Sequence, residues 1–153
     1  MIDKLNGDAP KKSGSALQKG LLKCKIDPNG GPITVRLNAH NLIRAVGTFA
    51  LFDAAGRDRG NNWTMEPGDP GSCDYKLEEV LPKTLYKNQM KWIIICCSTH
   101  PDVDEATISI QIFQDGKEMT LSHSAQWDLK QIPYGETCTD PAKVEDLLFF
   151  VYK

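Results

Sequence analysis

The chain has no excess of either charge, no long apolar run and no paired cysteine motif, and each absence removes a class of function. Its 18 Lys and Arg stand against 20 Asp and Glu, a formal net charge of −2. Proteins that hold nucleic acid concentrate positive charge on one face. The densest basic cluster here, Lys11, Lys12, Lys19, Lys23 and Lys25, is small and interrupted, so nucleic acid is not an expected ligand. A membrane helix needs roughly 18 apolar residues. The longest apolar run, Trp92 to Cys97, is strand-sized, and membrane insertion is not expected. Met1 to Gly7 lacks the apolar core of a signal peptide. The 5 cysteines are odd in number and contain no CxxC pair, which points away from a zinc site and from a complete disulfide framework. Reduced thiols in a cytoplasmic protein are the simplest expectation, although a mature chain whose signal had been cut away would read the same. Neither a GxSxG elbow nor an HExxH pair occurs, no internal repeat is visible, and no cofactor is implied.

What the chain does contain is short apolar segments cut by turn residues. At 153 residues it suits one domain with a sizeable core. Residues 1–15 gather Gly7, Pro10, Lys11, Lys12, Ser13, Gly14 and Ser15, too polar to repay ordering, and read as a flexible tail ahead of a single domain over 16–153. Leu22, Cys24 and Ile26 alternate with lysines until the breaker cluster Asp27-Pro28-Asn29-Gly30-Gly31-Pro32. Ile33, Val35 and Leu37 alternate with Thr34, Arg36 and Asn38, as in a half-buried strand, and Val46 to Phe52 reads as another. Asp53 to Ser72 holds four glycines and two prolines and reads as a long loop. Tyr75, Leu77 and Val80 resume a strand that Pro82 ends, and Trp92 to Cys97 suits a strand buried on both faces. Thr139-Asp140-Pro141-Ala142 looks like a helix start, giving a short helix or turn before a final strand through Phe149, Phe150, Val151 and Tyr152.

The sharpest local inference is a hairpin between Thr107 and Leu129. Asp115-Gly116 is a preferred two-residue turn of type I′, because both positions require positive φ. That turn pairs Gln114 with Lys117, Ile112 with Met119, Ile110 with Leu121 and Ile108 with His123. The second strand then presents Met119, Leu121, His123, Ala125, Trp127 and Leu129 on one face and polar residues on the other. His123 is thereby expected in the core. About seven to eight such strands with at most one short helix predict an all-β, mostly antiparallel fold, a β-sandwich or jelly roll, with a closed β-barrel as the alternative.

Three constellations carry chemistry. His100, Asp102 and Asp104 place imidazole and carboxylate ligands at alternate positions, a weak metal candidate whose plain reading is a polar turn. Cys96 or Cys97 near His100 or His123 would supply a nucleophile and base, yet cysteines in so apolar a strand usually act as small hydrophobes. The long loop is the third. Arg57, Asp58, Arg59, Asn61, Asn62, Trp63 and Asp69 set planar hydrogen-bonding groups beside an aromatic ring, a combination suited to a sugar or to a protein interface. The plain reading of Trp63 is a plug onto the sandwich.

The expected function is a non-enzymatic binding module that presents the 53–74 loop to a carbohydrate or a protein partner. A small cysteine- or metal-dependent enzyme using Cys97, His100 and His123 is the alternative. A third reading is an assembly subunit, with possible homo-oligomers formed through a sheet edge or the N-terminal tail.

Overall fold

Alternating apolar and polar residues set the strands, and β-branched and aromatic side chains fill the pleated surfaces. A computed structural model describes residues 22–68, 71–135 and 138–153. The expected tail at 1–15 lies outside them, as does Asp69. The strands are β1 (Leu22–Ile26), β2 (Ile33–His40), β3 (Ile43–Phe52), β4 (Asp58–Met65), β5 (Gly71–Lys76), β6 (Gln89–Ser98), β7 (Ala106–Gln114), β8 (Lys117–Glu118), β9 (Gln126–Leu129) and β10 (Ala142–Tyr152). The first sheet runs β1-β10-β6-β3-β4, and the second runs β5-β2-β7 with β8 and β9 both on the far edge of β7. Every pairing between these strands is antiparallel except β1 with β10. The two sheets do not close into a barrel, so the fold is a β-sandwich.

The core lies between the sheets. Inward positions of β2 (Ile33, Val35, Leu37) and β7 (Ile108, Ile110, Ile112) are buried opposite those of β3, β6 and β10, including Phe49, Trp92, Ile94, Leu148 and Phe150. Each such side chain contributes roughly 1.5–3 kcal/mol by leaving water. Gln114 is one of four buried polar residues among those described, with Asn88, Ser98 and Asp146, and its amide is satisfied. It accepts from the Asp27 N–H and donates to the Asp27 and Gly31 carbonyls, fastening the 27–31 turn to the hairpin.

The hairpin turn forms as expected, with Asp115 at φ 53° and Gly116 at φ 76°. Phe113 pairs with Glu118 and Gln114 with Lys117, and Met119 N–H still donates to the Ile112 carbonyl. Beyond Met119 the ladder departs from the simple hairpin. Ile108 pairs with Trp127 rather than His123, a slip of four residues. The intervening chain leaves β7 to bond β1: Lys25 N–H to the Thr120 carbonyl at 3.2 Å and Ser122 N–H to the Lys23 carbonyl at 2.9 Å. An even slip keeps side-chain parity, so Ala125, Trp127 and Leu129 still face inward. His123, however, rides on the excursion and is exposed rather than in the core.

Three further expectations change or narrow. The 53–72 segment is no long loop: Asp58–Met65 forms the edge strand β4 and Gly71–Lys76 the edge strand β5. Its glycines misled because Gly60, at φ 83°, makes a bulge where the β3–β4 register shifts between Ala50 and Phe52. Glycine serves that left-handed position inside a strand without ending it. The segment at Thr139 takes the turn rather than the short helix, with bends at Thr139 and Asp140 and β10 beginning directly at Ala142. Finally, β6 is not buried on both faces along its length: Ile93 and Ile95 on the outer face are 46% and 39% exposed, and burial on that face returns at Cys97.

Candidate functional site

The two flanks of the sandwich differ. On one, β1 is laced to the 120–122 segment by the backbone bonds above. On the other, the edges of β4 and β5 come together without a shared ladder, and aromatic rings fill the seam. Trp63 of β4 lies flat between Phe49 and Tyr75, with centroid separations of 5.5 Å and 4.8 Å and interplanar angles of 6° in both pairs. Phe49 leans on Trp92 at 6.1 Å, and Trp92 meets Trp127 edge-on at 6.0 Å. A continuous aromatic column therefore runs from the surface into the core. Cross-strand register explains it: Trp63 pairs with Phe49, and Phe49 with Trp92. Next in that row is Asp146, opposite Trp92. Its Oδ1 accepts from the Leu147 N–H, while Oδ2 is buried without a protein partner among the described residues.

A groove of about 590 Å³ opens over the outer end of this column, bordered by Asn61, Asn62, Tyr75, Lys76 and Glu79 and floored by Val80. Tyr75 is 39% exposed and Trp63 only 7%. The groove therefore offers the tyrosine, while the indole beneath is covered on both faces. Asp74 at the rim is already engaged. Its carboxylate takes Nε and Nη2 of Arg36 at 2.7 Å and 3.0 Å, which holds it below the usual carboxylate range and raises Arg36. Lys76 lies 3.7 Å from Glu78.

The residues expected to bind ligand separate into three groups. Asn61, Asn62 and Trp63 reach the groove. Arg57 and Asp58 sit at the β3–β4 turn. There Arg57 pairs with Asp53 at 3.2 Å, and hydrogen bonds from the backbone N–H groups of Arg57 and Ala55 lower the Asp53 pKa. Asp58 accepts from the Gly60 N–H. Arg59 points elsewhere, donating to Asn88 Oδ1 at 2.8 Å and to the Thr84 carbonyl, and so ties β4 to the 84–88 turn. Sequence reading passed over Tyr75, Lys76 and Glu79 because they read as a resumed strand. An aromatic ring among polar neighbours on a short strand next to glycines was the available signal of an edge position.

The other constellations do not assemble. His100 Nδ1 accepts from the Asp102 N–H at 3.2 Å, with the Asp102 carboxylate at 4.0 Å, while the Asp104 carbonyl is bonded by the Ile132 N–H. These are contacts of a turn, and among the described residues no cluster of three His, Cys, Asp or Glu side chains forms. Cys97 is joined to Cys138 in a disulfide with a Cα–Cα distance of 6.1 Å. The expectation of uniformly reduced thiols fails there, and Cys97 cannot serve as a free nucleophile. Burial pushes the Cys24 and Cys96 thiols up to about 12, far from a reactive thiolate. Comparison of the chain with protein-family models, with curated proteins and with solved structures finds no match.

Proposed function

We propose that the protein is a non-enzymatic binding module that takes a carbohydrate in the groove between β4 and β5. The observation that carries this reading is the half-exposed Tyr75 ring, held flat on Trp63 inside a polar-rimmed groove. The apolar C–H face of a pyranose stacks on such a ring. Its hydroxyls need donors and acceptors in one plane, and the Asn61 and Asn62 amides and the Glu79 carboxylate supply both. Stacking on Trp63 fixes the tyrosine before the ligand arrives, so little side-chain entropy is left to lose on binding.

The test is a glycan array on the full chain, followed by calorimetry on the strongest binder with Tyr75→Ala and Asn62→Ala. Tyr75 is a partly buried edge residue with one stacked neighbour, so its removal costs about 2 kcal/mol of stability from the lost stack and lost burial together and should abolish sugar binding. Silence across the array, or binding indifferent to Tyr75→Ala, overturns the proposal.

A further inference from the structure

The outer faces of the two sheets are built differently. That of the second sheet is a self-satisfied polar surface. Asn38 donates to Ser109 and Gln111 at 3.0 Å each, Gln111 to Glu118 at 3.2 Å and Thr107 to Asp128 at 2.9 Å, while Arg36 lies 4.5 Å above the Phe113 ring. This is the usual state of an antiparallel sheet that faces water. The outer face of the first sheet instead carries Ile93 and Ile95, 46% and 39% exposed, with half-exposed Val46, Phe52, Leu147 and Phe149 around them. The apolar run Trp92 to Cys97 has the composition of a strand covered on both sides; on its outer side the Cys138 disulfide covers Cys97, while no described residue covers Ile93 and Ile95 to the same degree.

Charge on this face has one dominant sign. Register sets Lys143 beside Ile95, Lys91 beside Leu147, Lys23 beside Phe149 and Arg44 beside Cys97. Glu145 is offset by Lys143 at 3.7 Å, and Asp58 stands at the β4 end. A chain of net charge −2 thus concentrates cations on its most apolar exposed face. The surface is also dished. A concavity of about 420 Å³ is bordered by Thr48, Phe52, Lys91, Ile93 and Leu147, with Glu145 on its rim and the Lys91 ammonium 4.4 Å over the Phe52 ring.

We propose that this face docks an acidic, amphipathic segment of a partner protein, one apolar side chain filling the dish while its carboxylates meet Lys23, Lys91 and Lys143. A second copy of this chain fits less well, since it would press one basic face against another. An anionic membrane is flat and would leave the dish unfilled. The surface is separate from the Tyr75 groove, so either proposal can fail alone.

The experiment titrates the full chain against a fluorescent peptide that alternates Glu with Leu around a central Phe, and against the same peptide with Lys for Glu. Vesicles of phosphatidylcholine with and without phosphatidylserine are the lipid probe. The acidic peptide should bind and the basic one should not, with binding weakened by added salt. Ile93→Asp should weaken it about tenfold or more, the scale of a buried apolar anchor, and Tyr75→Ala should leave it unchanged. Because Ile93→Asp could disturb the sheet, the double variant Lys91→Glu, Lys143→Glu provides a second reading: it should reverse the preference between the two peptides. The proposal falls if neither peptide binds, if both bind equally, or if charge reversal changes nothing. It falls equally if only serine-containing vesicles bind, or if light scattering shows a dimer that Ile93→Asp dissolves.

Discussion

Replacing Trp63 with alanine separates a structural indole from a ligand platform. The ring is 7% exposed and stacked on both faces. Truncating a buried Trp costs about 3–5 kcal/mol, of which two lost stacks account for about 0.5–1.5 kcal/mol each. Because Trp63 sits at the sandwich flank, water can enter the space left behind, which favours the lower end, about 3 kcal/mol. For a domain of this length each kcal/mol lowers Tm by about 2–4 °C. Trp63→Ala should therefore melt about 6–12 °C below the parent protein. Trp63→Phe keeps a ring between Phe49 and Tyr75 and should recover more than half of the loss. Far-UV circular dichroism is the suitable probe, since Trp92 and Trp127 complicate fluorescence. A Tm within a degree or two of the parent, with sugar binding abolished, would refute the buried stack and make Trp63 itself the binding surface.

The Cys97–Cys138 disulfide spans 41 residues, and loop-closure entropy at that length is worth about 4 kcal/mol. Cys97→Ser with Cys138→Ser should lower the urea midpoint accordingly, and unreduced protein unfolded in denaturant should show free thiols at Cys24, Cys73 and Cys96 alone; an unchanged midpoint, or all five thiols titrating before reduction, would refute the bond. Burial raises the Cys24 and Cys96 thiols from 9.0 to about 12, so the unfolded chain loses these protons at lower pH than the folded one. Their contribution is fully present below pH 9 and is lost as pH rises from 9 towards 12, with a slope of up to about 1.4 kcal/mol per pH unit for each thiol. Denaturant melts between these limits should show a shallower decline in a Cys24→Ala, Cys96→Ala variant, and identical slopes would contradict the burial.

Period-two alternation made most of the sandwich legible. Leu22 to Ile26 and Ile33 to Asn38 were readable because each has one apolar face and one polar face, and Asp115-Gly116 announced its turn because few residue pairs tolerate positive φ at both positions. Two failures share one cause. The excursion that carries His123 to the surface, and the strand that carries Asn61 to Trp63, each depend on a non-local partner. The 120–122 segment leaves β7 because β1 offers it backbone bonds from Lys23 and Lys25, nearly a hundred residues earlier in the chain. β4 persists through Gly60 because β3 supplies a ladder on both sides of the bulge. Local composition contains neither partner. The candidate site suffered in the same way: Asn61, Asn62 and Trp63 were found for their side-chain chemistry, whereas Tyr75 joins them only because β4 and β5 are edges of different sheets on one flank.

The apolar run of β6 shows how such a discrepancy becomes informative. Its composition calls for cover on both faces, while the described residues cover the inner face through Trp92, Ile94 and Cys96 and leave Ile93 and Ile95 partly exposed on the outer one. An isolated domain gains nothing from keeping Ile93 and Ile95 in water, where each forfeits part of the roughly 1.5–3 kcal/mol that burial returns. Nor does β-propensity require isoleucine at those positions, since the outer face of β7 meets the same backbone demand with Thr107, Ser109 and Gln111. The two outer faces thus satisfy one pleated geometry with opposite chemistry. Where local structure allows polar residues and apolar ones stand beside Lys23, Lys91 and Lys143, a complementary surface is a physical reason for the choice, and the proposed acidic partner meets both its apolar and its charged requirements.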